Sequence, residues 1–232
     1  MGVPHRKERT SALLFCGVFY FYSLNNSREV NLLLDKKREH LEDMIVAILL
    51  GNSKITRKPN GRCLYFKIDD RKTDILYSYL EGFRLEDQFN IDTWTGDFYV
   101  KPSIMLENVL KNWVLDDKVE VIDPLTLRLN AYYIWISLFG EKKPNGVSIL
   151  TNLDSSLQYT LTELFKQQFG TKVYQGNTMH IKPFSPIVLH AFKSNRPLQE
   201  SMELTYLLPF KEKEGIKKLV LEWENERATY AY

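Results

Sequence analysis

Basic side chains are concentrated between residues 53 and 72 of this chain. Seven of them stand there against Asp69 and Asp70, a net charge of +5, whereas the whole chain of 232 residues sums to only +2. Clustered lysine and arginine side chains neutralise phosphates, so this segment predicts a surface that binds a nucleic acid. The basic residues are Lys54, Arg57, Lys58, Arg62, Lys67, Arg71 and Lys72.

Residues 62–68 alternate between two sets, as expected of a β-strand whose successive side chains point to opposite faces. One set is Leu64, Phe66 and Ile68, with Arg62 at the same parity, and the other is Cys63, Tyr65 and Lys67. The first set suits a core. We expect the second to meet the ligand, with Tyr65 stacking on an unpaired base and Lys67 neutralising a phosphate.

Basic residues outside this segment occupy matching places in the two halves of the chain. Lys101 and Lys182 each precede a proline after a β-prone run, and Lys142 and Lys143 precede a turn. The predicted nucleic-acid-binding residues are therefore Lys54, Arg57, Lys58, Arg62, Tyr65, Lys67, Lys101, Lys142, Lys143 and Lys182. Other aromatic residues, including Trp94, Phe98, Tyr99 and Trp135, are predicted to lie in the core.

No spacing of residues indicates a metal site or a nucleophile. The four histidines are scattered, and Cys16 and Cys63 have neither the spacing of a zinc site nor the number for a disulfide framework. Four acids at predicted strand ends and in loops could be considered as metal ligands, but a solvated surface is the simpler interpretation for them: Asp69, Asp70, Asp116 and Asp117. The sequence predicts no metal and no cofactor.

Turn and helix signals show that the same order of elements occurs twice. The first half has predicted helices at 41–50, 73–83 and 104–113, with hairpins turning at 59–61 and 95–97. The second half has an apolar helix ending at Gly140, helices at 156–169 and 187–193, and hairpins turning at 144–146 and 175–177, with Asp154 or Ser155 as an N-cap. Each half therefore reads as an α-β-β-α-β-β-α unit.

Two matching turns support a duplication. The sequence Lys-Pro-Asn-Gly occurs at 58–61 and again at 143–146, and a Val- or Ile-Lys-Pro step occurs at 100–102 and at 181–183. Because these signals recur in the same order, we predict an α+β fold of two tandem α-β-β-α-β-β-α units.

This order of elements resembles the LAGLIDADG homing endonucleases, and most closely the subgroup found among intron-encoded maturases of mitochondria and chloroplasts. The first motif of that subgroup reads roughly G-L-L-L-G-D-G-H, and the chain has Ala47-Ile48-Leu49-Leu50-Gly51-Asn52-Ser53-Lys54. The second reads roughly L-A-Y-W-F-M-D-D-G, and the chain has Tyr132-Tyr133-Ile134-Trp135-Ile136-Ser137-Leu138-Phe139-Gly140. The resemblance covers about residues 41–209. It implies two antiparallel sheets that form a saddle over the nucleic acid.

The chain departs from the family at the residues that carry the chemistry. Family members cut DNA with one acid at the base of each motif helix, and these acids hold magnesium ions. Asn52 stands at the first acid position, and Leu138 and Phe139 stand at the second pair. Magnesium requires hard, charged oxygen ligands. The resemblance therefore implies a protein that binds without cutting, which is not an enzyme.

Four segments are predicted: an N-terminal extension at 1–40, two LAGLIDADG-like halves at 41–120 and 121–210, and a C-terminal extension at 211–232. The apolar stretch 12–22 follows a basic segment and is shorter than the ~20 residues that span a bilayer. It reads either as part of an organelle import signal or as a first strand or helix. The C-terminal extension reads as a short strand or helix docked on the domain or on a partner.

The function expected from the resemblance is non-catalytic binding of structured RNA in an organelle. We favour a component of the mitochondrial ribosome that holds ribosomal RNA and contacts neighbouring ribosomal proteins through its extensions. The alternatives are a group I intron splicing factor, a DNA-cutting endonuclease with displaced acids, and a DNA-binding regulator. One chain completes the saddle, so we expect a monomer, located in mitochondria and without a membrane partner.

Overall fold

A computed structural model describes residues 34–92, 94–176, 178–202 and 204–229 of this protein. Contacts between residues divide the chain into one unit of residues 1–39 and a second of residues 40–232. The architecture below is that of the second unit. The apolar stretch 12–22, predicted as an import signal or a first element, lies outside the described residues.

The fold is α+β with antiparallel sheets, as predicted. Its first part comprises α1 (34–50), β1 (Ser53–Lys58), β2 (Gly61–Phe66), α2 (Thr73–Gly82), β3 (Phe89–Ile91), β4 (Phe98–Val100), α3 (Ile104–Trp113), β5 (Val114–Leu115) and β6 (Lys118–Val119). Its second part comprises α4 (Leu129–Phe139), β7 (Gly140–Lys143), β8 (Gly146–Leu150), α5 (Ser155–Phe169), β9 (Lys172–Tyr174), β10 (Thr178–Lys182), α6 (Ser185–Met202) and α7 (Phe210–Thr229).

Two four-stranded sheets share one strand order. The first sheet runs β1-β2-β4-β3 and the second runs β7-β8-β10-β9, and all neighbouring strands are antiparallel. Both Asn-Gly turns fall where they were predicted, between β1 and β2 and between β7 and β8. In each sheet the two inner strands are therefore the second strands of consecutive hairpins.

The centre of the core is formed by α1 and α4. Residues 44–50 of α1 and 131–139 of α4 are buried on all sides, which suits their nearly continuous apolar sequences. Arg128, the N-cap residue of α4, donates to the Asp43 carboxylate of α1 at 2.8 Å. Gly51, at the far end of α1, packs against the Phe139 ring at the far end of α4. The two helices therefore run side by side in the same direction.

Local capping explains where several helices begin and end. The Ser103 hydroxyl accepts from the Leu106 amide at the start of α3, and the Asp154 carboxylate accepts from the Leu157 amide at the start of α5. Gly170 ends α5 in the left-handed conformation, with φ of 64°. The N-cap predicted as Asp154 or Ser155 is thus Asp154.

The structure extends or corrects three predicted elements. The last helix of the second half runs from Ser185 to Met202, beyond the predicted 187–193, and the C-terminal extension is a helix, α7. Glu212 of α7 accepts from the Phe184 and Ser185 amides at the start of α6, so α7 docks on the domain. The β5–β6 hairpin was not predicted. Within the described part of the chain, no helix is both long and apolar enough to cross a membrane.

Candidate nucleic-acid interface

One face of the first sheet is free of helices and carries five of the ten predicted residues, Lys54, Lys58, Tyr65, Lys67 and Lys101. Strand register places Lys54 opposite Tyr65, Tyr65 opposite Tyr99 and Tyr99 opposite Asn90, so these side chains form one row across all four strands. Directly opposed residues in a sheet share a face. Leu64 and Phe66, at the other parity, are buried against the helices, which confirms the predicted alternation.

The tyrosines of this row form a stacked pair beneath a lysine. The Tyr65 and Tyr99 ring centroids are 5.1 Å apart with an interplanar angle of 24°. The Lys58 Nζ lies 4.3 Å from the Tyr99 centroid and 5.3 Å from that of Tyr65, within cation–π range. A hydrogen bond with the Tyr65 hydroxyl holds the pKa of Lys58 above its usual value. The pair is therefore a flat aromatic platform that a cation already occupies.

A hollow of about 510 Å³ opens beside this platform at the base of α1. Its lining includes Asn52, Lys54, Lys67, Asp92 and Asp97. The Lys67 Nζ lies 3.6 Å from the Asp97 carboxylate, and the Trp94 and Thr95 amides donate to Asp92 at 2.9 and 3.2 Å. These amides lower the pKa of Asp92. The hollow thus combines basic side chains with two carboxylates already held by a lysine and by backbone amides.

Two predicted arginines have the parity of the opposite face, and the structure separates them. Arg57 and Arg62 are opposed in the β1–β2 register and have the parity of the buried Leu64. Arg62 donates to Glu107 of α3 at 2.7 and 3.0 Å, which lowers the pKa of that carboxyl. Arg57 donates to Asp117 at 3.3 Å, but its side chain is 75% exposed and it lines the hollow. Arg62 is therefore removed from the predicted surface, while Arg57 remains beside the lysines.

Cys63 and two aromatic residues also differ from their predictions. Cys63 is buried although its parity matches that of Tyr65, because its short side chain lies among larger neighbours, and burial raises the pKa of its thiol. Tyr99, predicted to be core, is half-buried on the free face, and Trp94 is 95% exposed. The prediction that Trp135 is buried is confirmed. Alternation through Phe98, Tyr99 and Val100 is the signal that would have found Tyr99.

Lys101 and Lys182 both have the parity of the free face of their sheet. Each follows a buried apolar residue of an inner strand, Val100 of β4 or Ile181 of β10. The Lys101 ammonium also donates to the Asp87 carbonyl at 3.0 Å. Val100 pairs with the residue three positions after the glycine of the first turn, whereas Ile181 pairs with the residue directly after the glycine of the second turn. The two lysines therefore share a face but not a register position.

The lysine pair before the second turn is divided between the two faces of its sheet. Lys142 lies opposite the buried Val147, so it has the parity of the helix-bearing face. Lys143 has the other parity and lies on the free face, where its Nζ pairs with Glu141 at 2.8 Å. Lys142 is therefore removed from the predicted surface, while Lys143 remains on it.

The two positions at which the resemblance implies catalytic acids hold different groups. Asn52 is exposed, whereas Leu138 and Phe139 are buried. A Cβ on Gly51 would lie 2.6 Å from the Phe139 ring, so the ring fills the space beside the end of α1. The Lys72 ammonium donates to the Leu138 carbonyl at 3.1 Å and to the Gly140 carbonyl, and burial lowers the pKa of Lys72 to about 8.

These donors do not fit the magnesium ions that the resemblance implies. A neutral amide, two apolar side chains and a lysine supply no charged oxygen ligand. Among the described residues, no group of three or more histidine, cysteine, aspartate or glutamate side chains is arranged to hold a metal ion. The acids considered as replacements do not line the hollow at Asn52: Asp69 pairs with Arg71, and Asp116 and Asp117 form the β5–β6 turn.

Comparison with known proteins gives no relative for this chain. No protein-family model matches it, and no curated protein sequence is similar to it.

Proposed function

We propose that this protein binds structured RNA through the free faces of its sheets and does not cut it. The observation that carries the proposal is the row of Lys54, Tyr65 and Tyr99, with Lys58 and Lys67 beside it on one helix-free face. Lysines supply contacts to phosphates, and aromatic rings accept unstacked bases. Unpaired bases are typical of RNA loops and bulges, which favours RNA over duplex DNA.

We propose further that the two parts form the duplicated saddle of the LAGLIDADG-like proteins. The shared strand order of the two sheets and the parallel course of α1 and α4 support this arrangement. In it, each sheet follows a motif helix and the two free faces form one binding surface. A single chain then completes the surface, so the protein acts as a monomer.

Loss of cutting is supported by what stands at the two helix ends. Phe139 packs on Gly51, and the Lys72 ammonium engages the carbonyls at the end of α4. A divalent cation in the same place would meet an apolar ring and a positive charge. The protein therefore retains a surface for a nucleic acid without the oxygen ligands that hydrolysis with metal ions requires.

Salt dependence of RNA binding tests the proposal. Replacing Lys54, Lys58 and Lys67 with methionine should lower the slope of log K against log salt by roughly two to three units, as expected for three lost phosphate contacts. The matched control replaces Lys111 of α3, Lys142 of β7 and Lys166 of α5, which have the same total charge but lie away from the free face of the first sheet. Equal changes in both triple variants would show that the free face is not the binding surface.

The role that we propose in the cell is that of a mitochondrial ribosome component. Exposed apolar side chains on α7, Phe210, Leu219 and Leu221, support a contact with a neighbouring protein. Co-sedimentation with a ribosomal subunit and crosslinks to ribosomal RNA are the expected results of a sucrose gradient with RNA sequencing. Light fractions with intron crosslinks would instead identify a group I intron splicing factor.

One observation favours a test of the DNA-cutting alternative. Asp92 and Asp97 line the same hollow as Asn52, so displaced acids lie near the first acid position. On our proposal the protein leaves duplex DNA intact in magnesium. Magnesium-dependent cleavage that Asp92→Asn abolishes would establish the nuclease.

A further inference from the structure

The edge strand β9 and the inner strand β10 of the second sheet carry a pair of rings on the free face. Tyr174 of β9 lies opposite His180 of β10, with ring centroids 6.4 Å apart and planes tilted by 42°. Tyr174 is 53% exposed and His180 is half-buried. The tilt leaves the two rings unstacked, unlike the pair of Tyr65 and Tyr99, and no lysine among the described residues lies over either ring.

Two lysines stand beside these rings at the next position of the same face. Lys172 and Lys182 are directly opposed in the β9–β10 register, and both are exposed. Neither has an ion-pair partner among the described residues. Like charges opposed across a sheet destabilise it, and an anion bound between them would remove the repulsion. The pair therefore points to a negatively charged ligand.

The rings and the lysines lie two residues apart along each strand, a distance of roughly 6.6 Å. This spacing places an aromatic surface and a double positive charge within the span of one nucleotide. We propose that Tyr174, His180, Lys172 and Lys182 form a site for one unpaired nucleotide of the bound RNA. The rings hold the base, and the lysines hold its phosphate. The proposal rests on the RNA-binding function proposed above.

The neighbouring strand fixes where the His180 ring lies. Gly146 of β8 lies beside His180, where an added Cβ would be 3.0 Å from the imidazole Nε2 and 2.3 Å from the Ile181 carbonyl. The imidazole therefore packs against the Gly146 backbone in the space that a side chain would take, and the residue directly opposite it on β8 is the small Ser148. A neutral imidazole has one donor and one acceptor nitrogen, so it can pair with the edge of a base stacked on Tyr174.

The site differs from the first-sheet platform in what a base must displace. On the first sheet, Lys58 already lies over the rings. On the second sheet, a base meets an exposed tyrosine ring directly. A single-stranded probe without tertiary structure should therefore bind at the second sheet, and the measurement that tests this uses an oligouridine of about eight nucleotides.

Fluorescence anisotropy of that labelled oligouridine, measured over a series of salt concentrations, compares the wild type with three variants. Tyr174→Ala should weaken binding by roughly tenfold, as expected for the loss of one stacked base. Lys172→Met with Lys182→Met should lower the salt slope by roughly 1.4 units, or 0.7 for each phosphate contact to a single strand. The matched control, Tyr159→Ala with Lys166→Met, alters an exposed tyrosine and lysine on α5 and should change neither quantity.

Ultraviolet crosslinking of the wild-type protein to the same probe, followed by peptide mapping, should mark the peptide that contains Tyr174. Binding of structured RNA with no effect of any β9 or β10 substitution would overturn this site and leave the proposed function intact. Binding of neither probe would overturn both. Equal losses in the control variant would also overturn the site, because they would show charge-dependent binding without a defined position.

Discussion

The two sheets share one strand order but place their aromatic pairs on different strands. On the first sheet the pair joins the inner strands β2 and β4 and lies under Lys58. On the second sheet the pair joins β10 to the edge strand β9, and the inner strand β8 contributes Ser148 to that row. Sheet topology therefore determines which positions lie on the free face, while the residue types at those positions decide which chemical groups each sheet can bind.

The ends of α1 and α4 diverge in the same way. Asn52 is polar and exposed after α1, whereas Phe139 is part of the core at the end of α4. Asn52 lines the hollow beside the basic row. The Phe139 ring packs against Gly51 inside the fold.

The largest expected effect tests this divergence. Phe139→Asp removes a buried ring and buries a carboxylate against Gly51, so we expect the free energy of unfolding to fall by about 4 kcal/mol. Asn52→Asp, at the exposed position, should change it by less than about 0.5 kcal/mol. Urea unfolding of the two variants measures the difference. Similar stabilities would mean that Phe139 is not a core residue and that the two positions have not diverged.

An ion pair between Asp43 and Arg128 joins α1 to α4, and the pKa of Asp43 determines how its contribution to stability depends on pH. Burial raises the pKa of Asp43 to about 6, although Arg128 favours its charged form. Between pH 4 and 6 the Asp43 carboxyl is therefore protonated in the folded chain and ionised in the unfolded chain. The stability that this difference contributes is lost as the pH rises through that range. The contribution is roughly 3 kcal/mol.

Urea unfolding of the wild type and of Asp43→Asn across pH 4 to 7 isolates this group. The difference in unfolding free energy between the two proteins should shift by roughly 3 kcal/mol against the wild type as pH rises through this window. Exposed carboxyls cancel in that difference because both proteins contain them. A difference that is constant with pH would mean that Asp43 titrates alike in the folded and unfolded chains.

Much of the fold could be predicted because its signals are local. Asn-Gly turns, the Ser103 and Asp154 caps and the periodicity of 104–113 each act within a few residues, and the helix Ile104–Trp113 has the predicted bounds. The β5–β6 hairpin was missed because its turn uses Asp116 and Asp117 at φ of 50° and 60°, where glycine or asparagine would be the usual signal.

The interface was harder to predict because a face is a property of paired strands. Alternation placed Tyr65 on the free face, but it was not extended across the turn to β1, so Arg57 was listed with the lysines although it has the other parity. Residue type alone predicted Tyr99 to be a core residue, and it gave no reason to include Tyr174 or Lys172 in the binding surface. Strand register, which depends on contacts distant in sequence, brings those residues together.

Substitution of Lys58, which lies over the first-sheet rings, tests the difference between the two aromatic pairs. Lys58→Met removes a phosphate contact and also uncovers the Tyr65 and Tyr99 rings. We expect the salt slope of RNA binding to fall by about one unit, with affinity at high salt rising severalfold as a base gains access to the rings. Lys54→Met, whose side chain is not over the rings, is the matched control. It should lower the slope alone, and an identical response of the two variants would refute the idea that Lys58 covers the platform.

The smallest expected effect concerns the helix that follows the second sheet. Glu212 of α7 accepts from the Phe184 and Ser185 amides at 3.0 and 2.6 Å, so its charge lies at the N-terminus of α6. Glu212→Gln keeps an oxygen acceptor but removes the charge, and it should lower the free energy of unfolding by about 1 kcal/mol. Glu214→Gln, at an exposed pair with Lys217, should cost less than about 0.5 kcal/mol. Because α6 directly follows β10, a larger loss in Glu212→Gln accompanied by weaker oligouridine binding would show that α7 holds the second sheet in its binding geometry. Unchanged binding would confine the role of Glu212 to stability.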